Sequence, residues 1–189
     1  MRHRIFIAIN LPENVKKKLA EFQSIWPELP IRWTKKDNLH ITLEFLGYIS
    51  EEELLEVCQL ATQVAERNEP FSISLKKIIY GPPKKTPPRM VWVEGERSEE
   101  FARLRDDLES SLLGSDKVRF SAEKRAFSPH ITLGRVRVFE WRQMEPEERP
   151  EVGEEINLTF EVNSIEVMES QLKKGGSEYF VLESCQLKS

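Results

Sequence analysis

The stretch Asn38-Leu39-His40-Ile41-Thr42-Leu43-Glu44-Phe45-Leu46-Gly47 contains a tetrapeptide, His-Ile-Thr-Leu, that recurs at His130-Ile131-Thr132-Leu133 and uses two of the chain's three histidines. Successive side chains of an extended strand point to opposite faces, so each copy presents an imidazole and a hydroxyl on one face and two aliphatic groups on the other. Ile41, Leu43 and Phe45 continue the alternation and predict a core-facing row that Gly47 closes, and Ser128-Pro129 opens the second strand. A single His-x-Thr strand is ordinary composition. Two of them, in a chain with one other histidine, point to a paired chemical role. His3, near the terminus and without a matching threonine, reads as a solvated side chain.

Working outward, Arg4 to Asn10 reads as a strand, and Pro12 suits the first turn of a helix with Val15, Leu19 and Phe22 on one face. Arg32-Trp33-Thr34 is a short extended piece, with Trp33 packing at a lobe boundary. Ser50 and Glu53 have the spacing of a capping box, opening a helix striped by Leu54, Val57, Cys58, Ala61 and Val64; Phe71 to Tyr80 then alternates as a strand. The order repeats: Met90 to Val93 as strand, Ser98 capping a helix with Phe101, Leu104, Leu108 and Leu112, then the second histidine strand. A Glu- and Pro-rich connector, Gln143 to Glu155, leads to a long strand from Ile156 to Met168, and Tyr179 to Leu182 forms another. The Pro-rich segment from Gly81 to Arg89 divides the halves as an exposed, stiff loop.

The repeated order reads as a diverged duplication. It predicts an α+β fold in which residues 1–189 form a single two-lobed domain with antiparallel sheets and helices on their outer faces. A pseudo-twofold axis would bring the two histidine strands face to face across a central cleft.

Composition limits the function. The chain has 189 residues, 39% hydrophobic and 32% charged, enough for a sizeable core. A net charge of −4 argues against a protein that coats long nucleic acid, while leaving room for a site that grips one terminal phosphate. Arg32 with Lys35-Lys36, Lys84-Lys85 with Arg89, Lys124-Arg125, and Arg135 with Arg137 are local basic clusters, most of which read as solvated surface. Cys58 and Cys185 are too few and too separated for a disulfide framework or a cysteine zinc site, and Cys58 falls in a core stripe. Only a short strand-like run, Ile5 to Ile9, follows Arg2-His3-Arg4, so neither a leader nor a membrane span is read and the expected location is the cytoplasm.

Two facing imidazoles suit a displacement in which one proton leaves the attacking oxygen and another reaches the leaving oxygen. Histidine, with an ordinary pKa of about 6.5, can serve as base or acid near neutrality. The threonine hydroxyls can donate to a developing oxyanion, and an arginine fork can hold a phosphate. These parts fit phosphoryl transfer without a metal.

The paired motifs resemble the two-histidine phosphoesterase superfamily, and within it the RNA 2',3'-cyclic phosphodiesterases, also called 2'-5' RNA ligases. The likeness runs from Ile5-Phe6-Ile7-Ala8-Ile9-Asn10-Leu11-Pro12, through Arg32-Trp33 and Asn38 to Gly47, to Phe127 to Arg135, then Ser170, Leu172, Gly175-Gly176 and Tyr179. It implies a bilobal fold, no metal and no cofactor, a monomer, and RNA ending in a 2',3'-cyclic phosphate as partner, tRNA fragments being one source. Hydrolysis would leave a 2'-phosphate; replacing water by a 5'-hydroxyl would give a 2'-5' linkage. By motif position His40 and His130 become the acid and base, provisionally His40 protonating O3' and His130 activating water. Thr42 and Thr132 become oxygen donors and Arg135 a phosphate clamp. Strict alternation puts Arg135 on the wrong face, so it requires a bend or bulge that Gly134 would permit. Phe6 and Arg32 are weaker candidates for contacting the RNA.

Three alternatives stand beside this reading. A metallohydrolase would use His40, His130 and a carboxylate such as Glu44, although no metal-ligand spacing is present. A non-catalytic module would bind RNA ends without turning them over. A phosphodiesterase acting on another cyclic nucleotide or phosphoester is the nearest of the three.

Overall fold

The computed structural model describes residues 1–122 and 127–188. Its strands are β1 (Arg2–Asn10), β2 (Ile31–Trp33), β3 (His40–Ser50), β4 (Phe71–Gly81), β5 (Met90–Gly95), β6 (His130–Val136), β7 (Gly153–Val162), β8 (Ser164–Lys173) and β9 (Gly176–Gln186). The helices are α1 (Glu13–Phe22), α2 (Glu51–Arg67), α3 (Glu99–Leu113) and the short α4 (Val138–Gln143). All strands join one sheet in the order β7-β4-β5-β6-β3-β1-β8-β9, with β2 added to β6.

That order carries the duplication. Read from its two ends, it matches β3 with β6, β1 with β5, β8 with β4 and β9 with β7. Each half of the chain also lends a strand to the other: β4 pairs with β5, and β8 pairs with β1. The histidine strands are the two central ones, antiparallel neighbours that meet at a single residue pair, Ile41 opposite Ile131. Asn163 alone links β7 to β8, which stand six places apart in the order. Six strand spacings of about 4.8 Å are far more than one residue can span. The sheet is therefore bent, its halves angled about the thinly paired β3–β6 seam.

The sheet's two faces have different tasks. Ile5, Ile7, Ile9, Ile41, Leu43, Ile131 and Leu133 lie in the main core with Val57, Ala61 and Val64 of α2 and Leu104, Leu108 and Leu112 of α3. Each fully buried aliphatic group of this kind stabilises the fold by about 1.5–3 kcal/mol. Phe6, Ala8 and Met168 point the other way and form a small separate cluster with Tyr179 against it. The predicted capping box opens α2: the Ser50 hydroxyl accepts from the Glu53 amide and the Glu53 carboxylate accepts from the Ser50 amide. Ser98 caps α3 by accepting from the Phe101 amide.

Several local expectations are corrected. The strand expected from Ile156 to Met168 is two strands broken at Asn163, because β7 completes one edge of the sheet and β8 joins β1. Gly47 does not close its strand: at φ +75° it takes the left-handed conformation of a bulge, and β3 continues to Ser50. His3 is not solvated; its Nδ1 lies 2.6 Å from the Glu169 carboxylate, which the Gln171 amide and that contact hold below its ordinary pKa. Cys58 is only half-buried, and its thiol is pushed up to about 11 by that burial. Trp33 packs against the core beside Gly134, as expected of a boundary residue. Lys124 and Arg125 lie outside the described residues. Among the described residues no helix is long and apolar enough to cross a membrane.

Candidate active site

Because Ile41 and Ile131 are paired and both buried in the core, the residues flanking each of them project from the opposite face of the seam. His40, Thr42, His130 and Thr132 therefore share one face, two strands wide. The rings are close enough for His130 to depress the proton affinity of His40.

Each histidine is oriented by the same local device. The His40 Nδ1–H donates to the Asn38 carbonyl at 2.7 Å, and the His130 Nδ1–H donates to the Ser128 carbonyl at 2.9 Å. A carbonyl can only accept, so the Nδ1 proton is fixed on both rings and each neutral ring keeps its lone pair on Nε2. The His40 Nε2 accepts from the Thr42 hydroxyl at 2.9 Å. Behind this pair the ammonium of Lys16, buried in α1, donates to the Asp37 carbonyl at 3.1 Å and steadies the turn that supplies Asn38. Burial lowers the Lys16 pKa.

The surroundings of the two rings differ. His40 packs against Phe6 at 5.0 Å and edge-on to Tyr179 at 5.3 Å. Burial pushes its imidazole down to about 4, opposed by the bond to Asn38 and reinforced by Lys16 and His130. His130 stacks on the Trp92 indole at 3.9 Å, with Phe127 6.1 Å away. Gly81 makes that stack possible: a Cβ there would fall 2.2 Å from the indole.

Arg135 reaches the histidine face by the anticipated bulge. Val91 pairs with Gly134 but the next residue, Trp92, pairs with Thr132, so Leu133 is the extra residue and both it and Gly134 turn inward. Arg135 thereby returns to the side of His130 and Thr132, exposed. The first motif has the same bulge, with Ile7 opposite Glu44, Ala8 opposite Thr42 and Leu43 extra. Phe45, read from alternation as core, is consequently 66% exposed on the histidine face, 6.0 Å from Phe6. Glu44 is the residue buried in its place, 4% exposed and paired with Arg105 at 2.9 Å. Its carboxylate thus engages α3 on the core side and does not stand beside the two histidines as the metallohydrolase alternative required. Among the described residues no group of three or more His, Cys, Asp or Glu side chains could hold a metal ion.

Sequence reasoning missed Phe45, Trp92 and Tyr179 as neighbours of the site. The signal for Phe45 was available: it follows its threonine at the same interval as Arg135, so the bulge invoked for one motif applies to the other. Phe6, set aside as more often core, is 3% exposed yet lies on the histidine face beneath His40.

A bent antiparallel sheet bearing two symmetry-related His-x-Thr strands on one face defines a two-histidine phosphoesterase. The family model for LigT-like phosphoesterases matches residues 9–92. An RNA 2',3'-cyclic phosphodiesterase of Methanocaldococcus jannaschii is 31% identical over 180 residues, covering 95% of this chain and 98% of the relative. The crystal structure of TT0787 of Thermus thermophilus superposes with a TM-score of 0.82 at 33% identity, covering 98% of each chain. That of E. coli LigT complexed with 3'-AMP gives 0.78 at 26% identity over the whole of both chains. The chain belongs to the LigT-like family of RNA 2',3'-cyclic phosphodiesterases.

Proposed function

We propose that this protein is a metal-independent RNA 2',3'-cyclic phosphodiesterase that opens the cyclic phosphate to a 2'-phosphate. The observation that carries the reading is the placement of both His-Thr pairs on one face of the seam, each ring with its Nδ1 proton committed to a backbone carbonyl. Family membership supports the substrate class, since relatives along the whole chain are RNA 2',3'-cyclic phosphodiesterases.

The asymmetry of the site favours one division of labour. Phe45 and Tyr179 gather on the His40 side over the buried Phe6, a surface suited to the terminal nucleoside. The ribose O3' then faces His40, and water meets His130 on the other side of the phosphorus. His130 takes a proton from water as the new O–P bond forms, His40 delivers one to O3' as the P–O3' bond breaks, and the 2'-phosphate remains. Thr42 and Thr132 donate to the equatorial oxygens and Arg135 holds their charge. In the free protein His40 is neutral; the bound phosphodiester anion draws a proton onto it, and a desolvated imidazolium releases that proton readily. A 5'-hydroxyl in place of water gives 2'-5' joining at the same site.

The two lobes of residues 1–189 act as one domain, because each supplies half of the site, and for the same reason a monomer suffices. Cys58 and Cys185, both free, suit the reducing cytoplasm. Fragments of tRNA are one source of the cyclic ends. The test is to incubate chelator-treated protein with a short RNA ending in a 2',3'-cyclic phosphate and follow the product by phosphorus NMR. A 2'-phosphate that fails to form with His40→Ala or His130→Ala is expected; a 3'-phosphate, or turnover only with added metal, would overturn the mechanism.

A further inference from the structure

β2 brings a second arginine to the site. Ile31 and Trp33 turn toward the core, where a Cβ on Gly134 would meet both, so Arg32 between them projects to the histidine face. It is the direct cross-strand partner of Arg135. Residues so opposed stand about 5 Å apart at Cα, and two like charges at that separation repel unless an anion lies between or beside them.

Among the described residues no carboxylate takes that place. Around them Lys36 pairs with Glu13, Arg137 with Glu140 and Lys173 with Glu178, whereas among the described residues neither Arg32 nor Arg135 has a carboxylate within 4 Å. Arg32 is nevertheless built in. Its Nη2 lies where a Cβ on Gly176 would come within 2.5 Å, and Lys35 Nζ approaches Gly175 in the same way at 3.8 Å. The Asn38 side chain ties this β8–β9 turn to the first motif by donating to the Ser177 carbonyl at 2.8 Å. A side-chain-free turn thus lies against the guanidinium, on the strand next to the one that carries His130 and Arg135.

We infer that Arg32 forms a second phosphate subsite, which holds the phosphate on the 5' side of the terminal nucleoside while Arg135 holds the reacting one. This rests on the proposed function and deepens it: the preferred substrate is a nucleoside 2',3'-cyclic phosphate that also bears a 5'-phosphate, as every RNA end longer than one nucleotide does. Arg32 is a specificity residue, remote from the proton transfers.

The test separates binding from turnover. Affinities of adenosine 2'-phosphate and adenosine 2',5'-bisphosphate are measured by calorimetry for the wild type, Arg32→Ala and Arg32→Lys. The wild type is expected to bind the bisphosphate roughly 10-fold to 100-fold more tightly, the range of a charge-assisted hydrogen-bonded contact. Arg32→Ala should erase that preference and leave the monophosphate affinity unchanged, with Arg32→Lys between. The salt dependence of bisphosphate binding should also fall by about 0.7 in logarithmic slope in Arg32→Ala. Equal wild-type affinity for the two ligands, or an equal loss of both in Arg32→Ala, overturns the inference. Hydrolysis of the corresponding cyclic phosphates is scored separately: a bisphosphate preference without hydrolysis upholds the subsite and refutes the proposed activity.

Discussion

The strands β3 and β6 begin with the same four residues, share the same bulge and orient their histidines with the same backbone hydrogen bond, yet their surroundings diverge at every further position. Beyond the bulge one strand carries Phe45 and the other Arg135. On the neighbouring strand, the residue opposite the threonine is Ala8 in one half and Trp92 in the other. One ring sits among Phe6 and Tyr179; the other lies on an indole face. In the proposed mechanism the duplicated strand supplies two like proton carriers, and the divergence around them is what would make one the nucleoside-side acid and the other the water-side base.

The comparison is broken most severely by removing either ring. His40→Ala and His130→Ala are each expected to lower turnover by about 10²–10⁴-fold with the fold intact, as measured by circular dichroism and product formation. Loss from one variant alone would mean that the two rings are not partners. Exchanging what lies beyond the bulge is next: Arg135→Ala should weaken binding of adenosine 2'-phosphate by roughly 10-fold to 100-fold. Phe45→Ala should raise KM by about 5-fold to 100-fold while kcat changes little, the signature of lost base stacking. A fall in kcat without a change in KM would place Phe45 outside the binding surface.

Smaller effects sharpen the contrast. Trp92→Leu, which removes the indole face but keeps an apolar group, should cost turnover roughly 5-fold, in line with about 1 kcal/mol of stacking. The buried state of His40 also links to stability. Its folded pKa of about 4 lies below the unfolded value, so the unfolded chain binds a proton that the folded chain refuses. Stability from this group is fully present above about pH 6.5 and declines as pH falls toward 4. Urea midpoints measured across that window should fall less steeply for His40→Ala than for the wild type.

Much of this was legible in the chain. The periodic runs and caps gave α1, α2, α3 and most strands, since Ser50 with Glu53 and Ser98 are local devices whose partners lie within one turn, whereas the short α4 went unread. The repeated tetrapeptide gave the site, because strand alternation is a short-range rule. What escaped depends on long-range pairing. The break at Asn163 carries no glycine or proline and exists only because β7 and β8 join different halves of the sheet. The exposure of Phe45 follows from which residue of β1 opposes which of β3, and Trp92 reaches His130 because Gly81, on another strand, leaves room. Arg32 ranks only as a weaker RNA-contact candidate for the same reason: nothing near it in sequence says that it faces Arg135.

The inequivalence of the two rings is tested most directly by NMR titration of the histidine C–H signals, assigned with the single alanine variants, in the free protein and with adenosine 2'-phosphate bound. The His40 signal should titrate near pH 4 in the free protein and move upward when the phosphate anion binds. A His40 midpoint near the ordinary value of about 6.5, unmoved by the ligand, would contradict the account.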